Sequence, residues 1–153
     1  MIGKNDDREG FILRLLVVFL YVGMLFVLTC SYSFNEVIAS QKVSFVFNAE
    51  PNWVSFFEYK FSYSAPSYIL QKAGHALSFF ILAFLLMVVF SKLTAVLLLS
   101  TFFAVFTEVA QLFFHRTGCL VDVFIDLSGT AAFLLVCSLS KDKSGEVGKN
   151  VLG

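Results

Sequence analysis

Two neighbouring runs decide the fold: Tyr68–Phe90, YILQKAGHALSFFILAFLLMVVF, and Leu93–Phe114, LTAVLLLSTFFAVFTEVAQLFF. Each is long enough to cross a bilayer, which takes roughly 20 mostly apolar residues at a helical rise of about 1.5 Å. The apolar residues are continuous rather than alternating, so helices are predicted and a closed barrel is excluded. Two further stretches read the same way, Phe11 to about Tyr32 and about Cys119 to Leu139. The expectation is a single-domain, all-α integral membrane protein over 1–153. It is a bundle of four transmembrane helices (about 11–32, 68–90, 93–114 and 119–139).

Composition agrees. Of 153 residues, 58% are hydrophobic and 14% charged, with 20 Phe and a mean hydropathy of +0.83. Soluble domains carry charge on about a quarter of their residues, so a water-soluble fold would lack polar surface. The apolar content also excludes disorder. Eleven Lys+Arg balance eleven Asp+Glu, leaving no field to attract a nucleic acid. Cys30, Cys119 and Cys137 are odd in number and form no CxxC, so neither a disulfide framework nor a zinc finger is indicated. Cys30 and Cys119 near one membrane face would permit a bridge. Lys4 and Arg8 could head a signal peptide, but the apolar core is too long and no small-x-small cleavage site follows.

Basic residues set the orientation. Lys4, Arg8, Arg14, Lys92, Lys141, Lys143 and Lys149 fall on the side of both termini, against Lys42, Lys60, Lys72 and Arg116 on the other. Positive loops stay inside, so the tails 1–10 and 140–153 are expected to be cytoplasmic, the latter unstructured from Lys141. Residues 33–67 then form one long, aromatic-rich external loop. In it Trp53, Phe56, Phe57 and Lys60 recur at helical spacing, while Val43, Phe45 and Phe47 alternate like a short strand. Such aromatics settle at headgroup depth. Arg14 is expected to snorkel to inner headgroups and Gly23 to permit close helix packing.

Ionisable groups inside a bilayer are costly unless paired or wetted, so their positions are informative. His75, Glu108 and Asp126 each lie about six or seven residues inward from the external end of a span, a depth of roughly 9–11 Å. Lys72, His75 and Phe79 share one helix face; so do Glu108, Gln111 and His115, and again Asp122, Asp126 and Gly129. Each span thus carries one polar stripe that must point away from lipid. Arg116, in the short turn before the last span, is placed above the cluster, and Gly129 would let another helix approach.

These residues carry a family resemblance. Gln71-Lys72-Ala73-Gly74-His75 resembles the K-x-x-H opening of the VanZ-like membrane proteins. Glu108-x-x-Gln111, followed by Arg116, Gly118, Asp122, Asp126 and Gly129, is similar to their second signature. Ser78-Phe79 stands where many relatives have Glu-Tyr, so a role for a Tyr hydroxyl there is lost. The resemblance implies a bacterial plasma membrane. It also implies a link to lowered susceptibility to teicoplanin-type glycopeptides.

Three functions compete. The first is an enzyme acting at the outer leaflet on a cell-envelope lipid or lipid-linked precursor. His75, Glu108 and Asp126 are its expected catalytic residues, with Lys72, Gln111, Arg116 and Asp122 binding an anionic substrate. No cofactor or metal is expected; the alternative is a metal held by His75, Glu108, Asp122 and Asp126, which the nearby Lys72 and Arg116 oppose. The second is a non-catalytic protein that holds a lipid headgroup. The third is a small proton-coupled transporter, opposed by the apolar inner halves of the spans.

Overall fold

The computed structural model describes residues 3–31, 40, 43–58 and 66–150. Its helices run in the order α1 (Gly3–Cys30), α2 (Trp53–Phe57), α3 (Pro66–Phe90), α4 (Leu93–Leu112) and α5 (Leu120–Asn150). Among the described residues α1, α3, α4 and α5 are long and apolar enough to cross a membrane. The bundle is inverted relative to a soluble protein. Leu20, Leu70, Leu98, Phe102, Phe124 and Leu139 are exposed, whereas Glu108, Asp126, Ser100 and Thr130 are fully buried. An apolar skin of that extent is stable only against lipid.

Short, sharply terminated connections hold the spans antiparallel in sequence. Pro66 opens α3, where its missing N–H costs nothing. Ser91 ends that helix in the left-handed region (φ 53°), its N–H donating to Met87 O at 2.9 Å, and α4 starts two residues later. His115 plays the same part after α4 (φ 51°), and the Arg116 N–H returns to Gln111 O at 3.0 Å. The third span therefore ends at Leu112 rather than Phe114. His115 is turned out of the Glu108–Gln111 stripe and is exposed, which corrects the expected three-residue face.

Other expectations change at the edges. Helical backbone begins at Gly3 and continues to Asn150, beyond both expected tail boundaries. Extending an existing helix is cheap compared with nucleating one, and the polar ends contain no proline. Val43–Phe47 is not a strand: among the described residues no partner strand exists to satisfy a ladder. Instead the Asn48 N–H donates to Phe113 O at 2.7 Å. Phe45, Phe47 and Trp53 lie against Phe113 and Phe114 with ring centroids 5.6–6.3 Å apart. Asn52 caps α2 by accepting from the Val54 N–H at 3.1 Å. Tyr32, Lys42 and Lys60 lie outside the described residues. Gly23 meets nothing within 4 Å, because α1 is peripheral there, so it does not mark a close contact. Arg14 Nη1 lies 3.5 Å from Val88 O, near the end of α3. Cys30, Cys119 and Cys137 are free thiols.

The centre is the α3–α5 pair, the most extensive helix contact. The two helices run parallel and in direct contact, joined in sequence through the antiparallel α4. Residues that meet across them keep a nearly constant offset, 50 for Lys72 and Asp122 and 51 for His75 and Asp126. Gly129 against Ala76 and Phe133 against Phe80 extend the contact toward the other end, with the offset grown to 53. A Cβ on Gly129 would sit 1.8 Å from the Ala76 carbonyl oxygen, so only glycine allows this approach. Below it Phe79, Leu82, Ala83, Leu86, Val96, Ala104 and Phe133 form the apolar core.

Thermal unfolding in detergent distinguishes the two interior glycines. Gly129→Ala is expected to destabilise by about 1–3 kcal/mol through overpacking. Gly23→Ala, with open space around it, is expected to be neutral or to stabilise by up to about 1 kcal/mol through helix propensity.

Candidate functional site

Three helices deliver one polar group each to the same point. His75 comes from α3, Glu108 from the last turn or so of α4, and Asp126 from the second turn of α5. His75 Nδ1 is 3.1 Å from Asp126 Oδ1 and 3.8 Å from Glu108 Oε1. Both carboxylates are fully buried, while the imidazole side chain keeps 13% exposure. Among the described residues its Nε2 has no hydrogen-bond partner, and that atom is not fully buried.

Glu108 is held by both oxygens. Gln111 Nε2 donates to Oε1 at 3.0 Å, and the Cys119 backbone N–H donates to Oε2 at 2.9 Å. The second bond requires the turn after α4 to fold tightly over that helix. Gly118 makes this possible: a Cβ there would lie 1.9 Å from the Glu108 carbonyl oxygen. Asp126 is held by one oxygen only, and its Oδ2 is buried without a hydrogen bond.

Beside this trio, one turn nearer the N-terminal ends of α3 and α5, Lys72 Nζ donates to both oxygens of Asp122, at 2.5 and 2.7 Å. It also lies 4.9 Å from the Tyr68 ring centroid. The two residues expected to bind substrate separately are therefore joined to each other. Gln111 is buried, and its amide is committed to Glu108. Arg116 is partly buried in the turn, where its N–H contacts α4. Of the four side chains named as a metal alternative, His75, Glu108 and Asp126 offer donor atoms within 4.8 Å of one another; Asp122 is not in that group. Lys72 already occupies it.

Sequence reasoning missed the Cys119 amide, which no side-chain pattern reveals, and the fully buried hydroxyls of Ser100 and Thr130, which lack partners. Thr29, Thr101, Thr107, Ser128, Ser138 and Ser140 instead donate to carbonyls three or four residues earlier. The glycine two residues after Arg116 was the available signal for the tight turn.

These three helices, with the K-x-x-H stripe of α3 and the E-x-x-Q stripe of α4 meeting toward one end of a four-span bundle, define a class. The VanZ/LLP1 family profile matches residues 16–141, and the chain belongs to this family of membrane proteins. It is 39% identical over 119 residues to "Uncharacterized membrane protein YwnJ" of Bacillus subtilis (strain 168), a match covering 77% of this chain and 85% of that protein. No solved structure matches it.

Breaking a buried ion pair from one side leaves an uncompensated charge, while removing both partners does not. Lys72→Met is thus expected to destabilise by on the order of 3 kcal/mol, and Lys72→Met with Asp122→Leu by much less. A double-mutant cycle of thermal stability in detergent measures the difference.

Proposed function

We propose that this protein works at the outer leaflet of a bacterial plasma membrane, with both termini in the cytoplasm, on an anionic cell-envelope lipid or lipid-linked precursor. The chemistry is proton transfer at the His75, Glu108 and Asp126 cluster. The supporting observation is the contact of His75 Nδ1 with Asp126 at 3.1 Å, with Nε2 left without a partner among the described residues. A carboxylate on one imidazole nitrogen orients the ring and leaves the other nitrogen to exchange a proton with a substrate. Glu108, held by two donors, supplies fixed negative charge beside it.

Lys72 and Arg116 are the basic groups at the external end of this cluster. In this reading an incoming phosphate competes with Asp122 for Lys72, and a guanidinium suits its oxygens. Lowered teicoplanin susceptibility would follow if the product removes a target from the outer surface. A non-catalytic headgroup-binding role is the second reading. It is favoured by one observation: among the described residues no Ser, Thr or Cys side chain hydrogen-bonds to His75, so no nucleophile accompanies the imidazole.

Lipid and precursor profiling of cells carrying wild type, His75→Ala, Lys72→Ala or Glu108→Ala tests the proposal. General acid–base groups contribute about 10²–10⁴-fold, so His75→Ala is expected to lower the wild-type product at least a hundredfold with the protein still in the membrane. Identical profiles for wild type and His75→Ala would sink the enzyme reading; stoichiometric capture of an anionic lipid with no product would establish the second. For orientation, alkaline phosphatase fused to the C-terminus is expected to be inactive and a fluorescent protein bright. The reverse pattern would invert the topology.

A further inference from the structure

We propose that His75, Glu108 and Asp126 form a site for one divalent cation of the Zn²⁺ or Mn²⁺ kind, ions that accept imidazole and carboxylate donors together. One donor atom from each residue lies within 4.8 Å of the other two. Around an ion with bonds of about 2.0–2.2 Å, neighbouring donors of a tetrahedron stand roughly 3.3–3.6 Å apart. His75 Nδ1 is 3.1 Å from Asp126 Oδ1 and 3.8 Å from Glu108 Oε1, values that bracket that spacing.

A second observation points to a ligand. Asp126 is fully buried, yet its Oδ2 has no hydrogen-bond partner. A carboxylate left half-satisfied at that depth is costly, and a cation on Oδ1 offsets its charge. Glu108, by contrast, is oriented by Gln111, which donates to Oε1, and by the Cys119 amide, which donates to Oε2; Oε1 keeps a second lone pair for the ion. The charge also calls for a cation. Two buried carboxylates face one imidazole, and Lys72 is engaged by Asp122. The partly exposed His75 gives the ion its way in.

Three protein donors leave a fourth position for water, whose pKa a bound ion lowers. The inference rests on the preceding reading for the role of this cluster; once that water has lost a proton to solvent, the remaining hydroxide would serve as the base in place of the imidazole.

The test uses the full-length protein in lipid nanodiscs, stripped with a chelator and titrated calorimetrically with Zn²⁺ and with Mn²⁺ alone. The Zn²⁺-loaded wild type is then examined by X-ray absorption. The expected result is one saturable ion per chain and a coordination shell of nitrogen and oxygen at about 2.0–2.2 Å. Asp126→Asn is expected to weaken binding more than tenfold, and the milder Gln111→Ala by about 10–100-fold. No saturable binding of either ion, a sulfur ligand in the shell, or unchanged affinity in both variants overturns the proposal. The wild-type spectrum and titration do not depend on any variant folding. If no ion binds but Lys72→Ala still alters envelope lipids, the cation site falls and the lipid reading stands; if the ion binds and lipids are unchanged, the converse holds.

Discussion

Gly129 lets α5 lie against the Ala76 carbonyl of α3 at a separation that any side chain would prevent. The polar contacts between α3 and α5 are referred to that approach. It fixes the stagger of two parallel helices, so that Asp126 reaches His75 and, one turn nearer their N-terminal ends, Asp122 reaches Lys72. Small residues have this use in membranes because no hydrophobic effect drives helices together in lipid; close van der Waals packing must do so instead. The tight turn through Gly118 completes the arrangement from the other side, bringing the Cys119 amide onto Glu108.

The cost of this cluster argues that it is more than structural cement. Burying a carboxylate costs several kcal/mol even after relaxation, and buried ion pairs stabilise less than apolar packing of the same volume. Here two fully buried carboxylates converge on one imidazole, inside a bundle whose hydrophobic core is made of Phe, Leu, Val and Ala. One of their oxygens is left without a partner. A bundle selected for stability alone would have filled that layer with apolar or small residues. The unsatisfied oxygen and the convergence of two carboxylates on one imidazole are features that packing alone does not account for.

Much of this was legible in the residues. The four spans follow from hydropathy, and the shared depth of His75, Glu108 and Asp126 follows from counting at helical rise, because both signals are local. Partner choice was not legible. Lys72 reads as a free cation for substrate until the α3–α5 stagger assigns it to Asp122, and stagger depends on a crossing that no single helix encodes. His115 was misplaced on the α4 face because a helix end is uncertain by a residue or two, and the helix closes at Leu112. Ser100 and Thr130 passed unnoticed because hydroxyls in apolar helices usually bond to their own backbone, as six neighbours do here.

The most direct test is a cysteine cross-linking trap across α3 and α5 in native membranes. Cys30, Cys119 and Cys137 are first replaced by Ser; His75→Cys and Asp126→Cys are then combined and treated with a short bifunctional thiosulfonate, whose reach covers the two side chains it replaces. The account predicts efficient intramolecular cross-linking of this pair, and none when Asp126→Cys is exchanged for Phe124→Cys, whose side chain faces outward. Absence of the first cross-link, or equal yields for both pairs, would mean that imidazole and carboxylate do not meet, contradicting the account at its base.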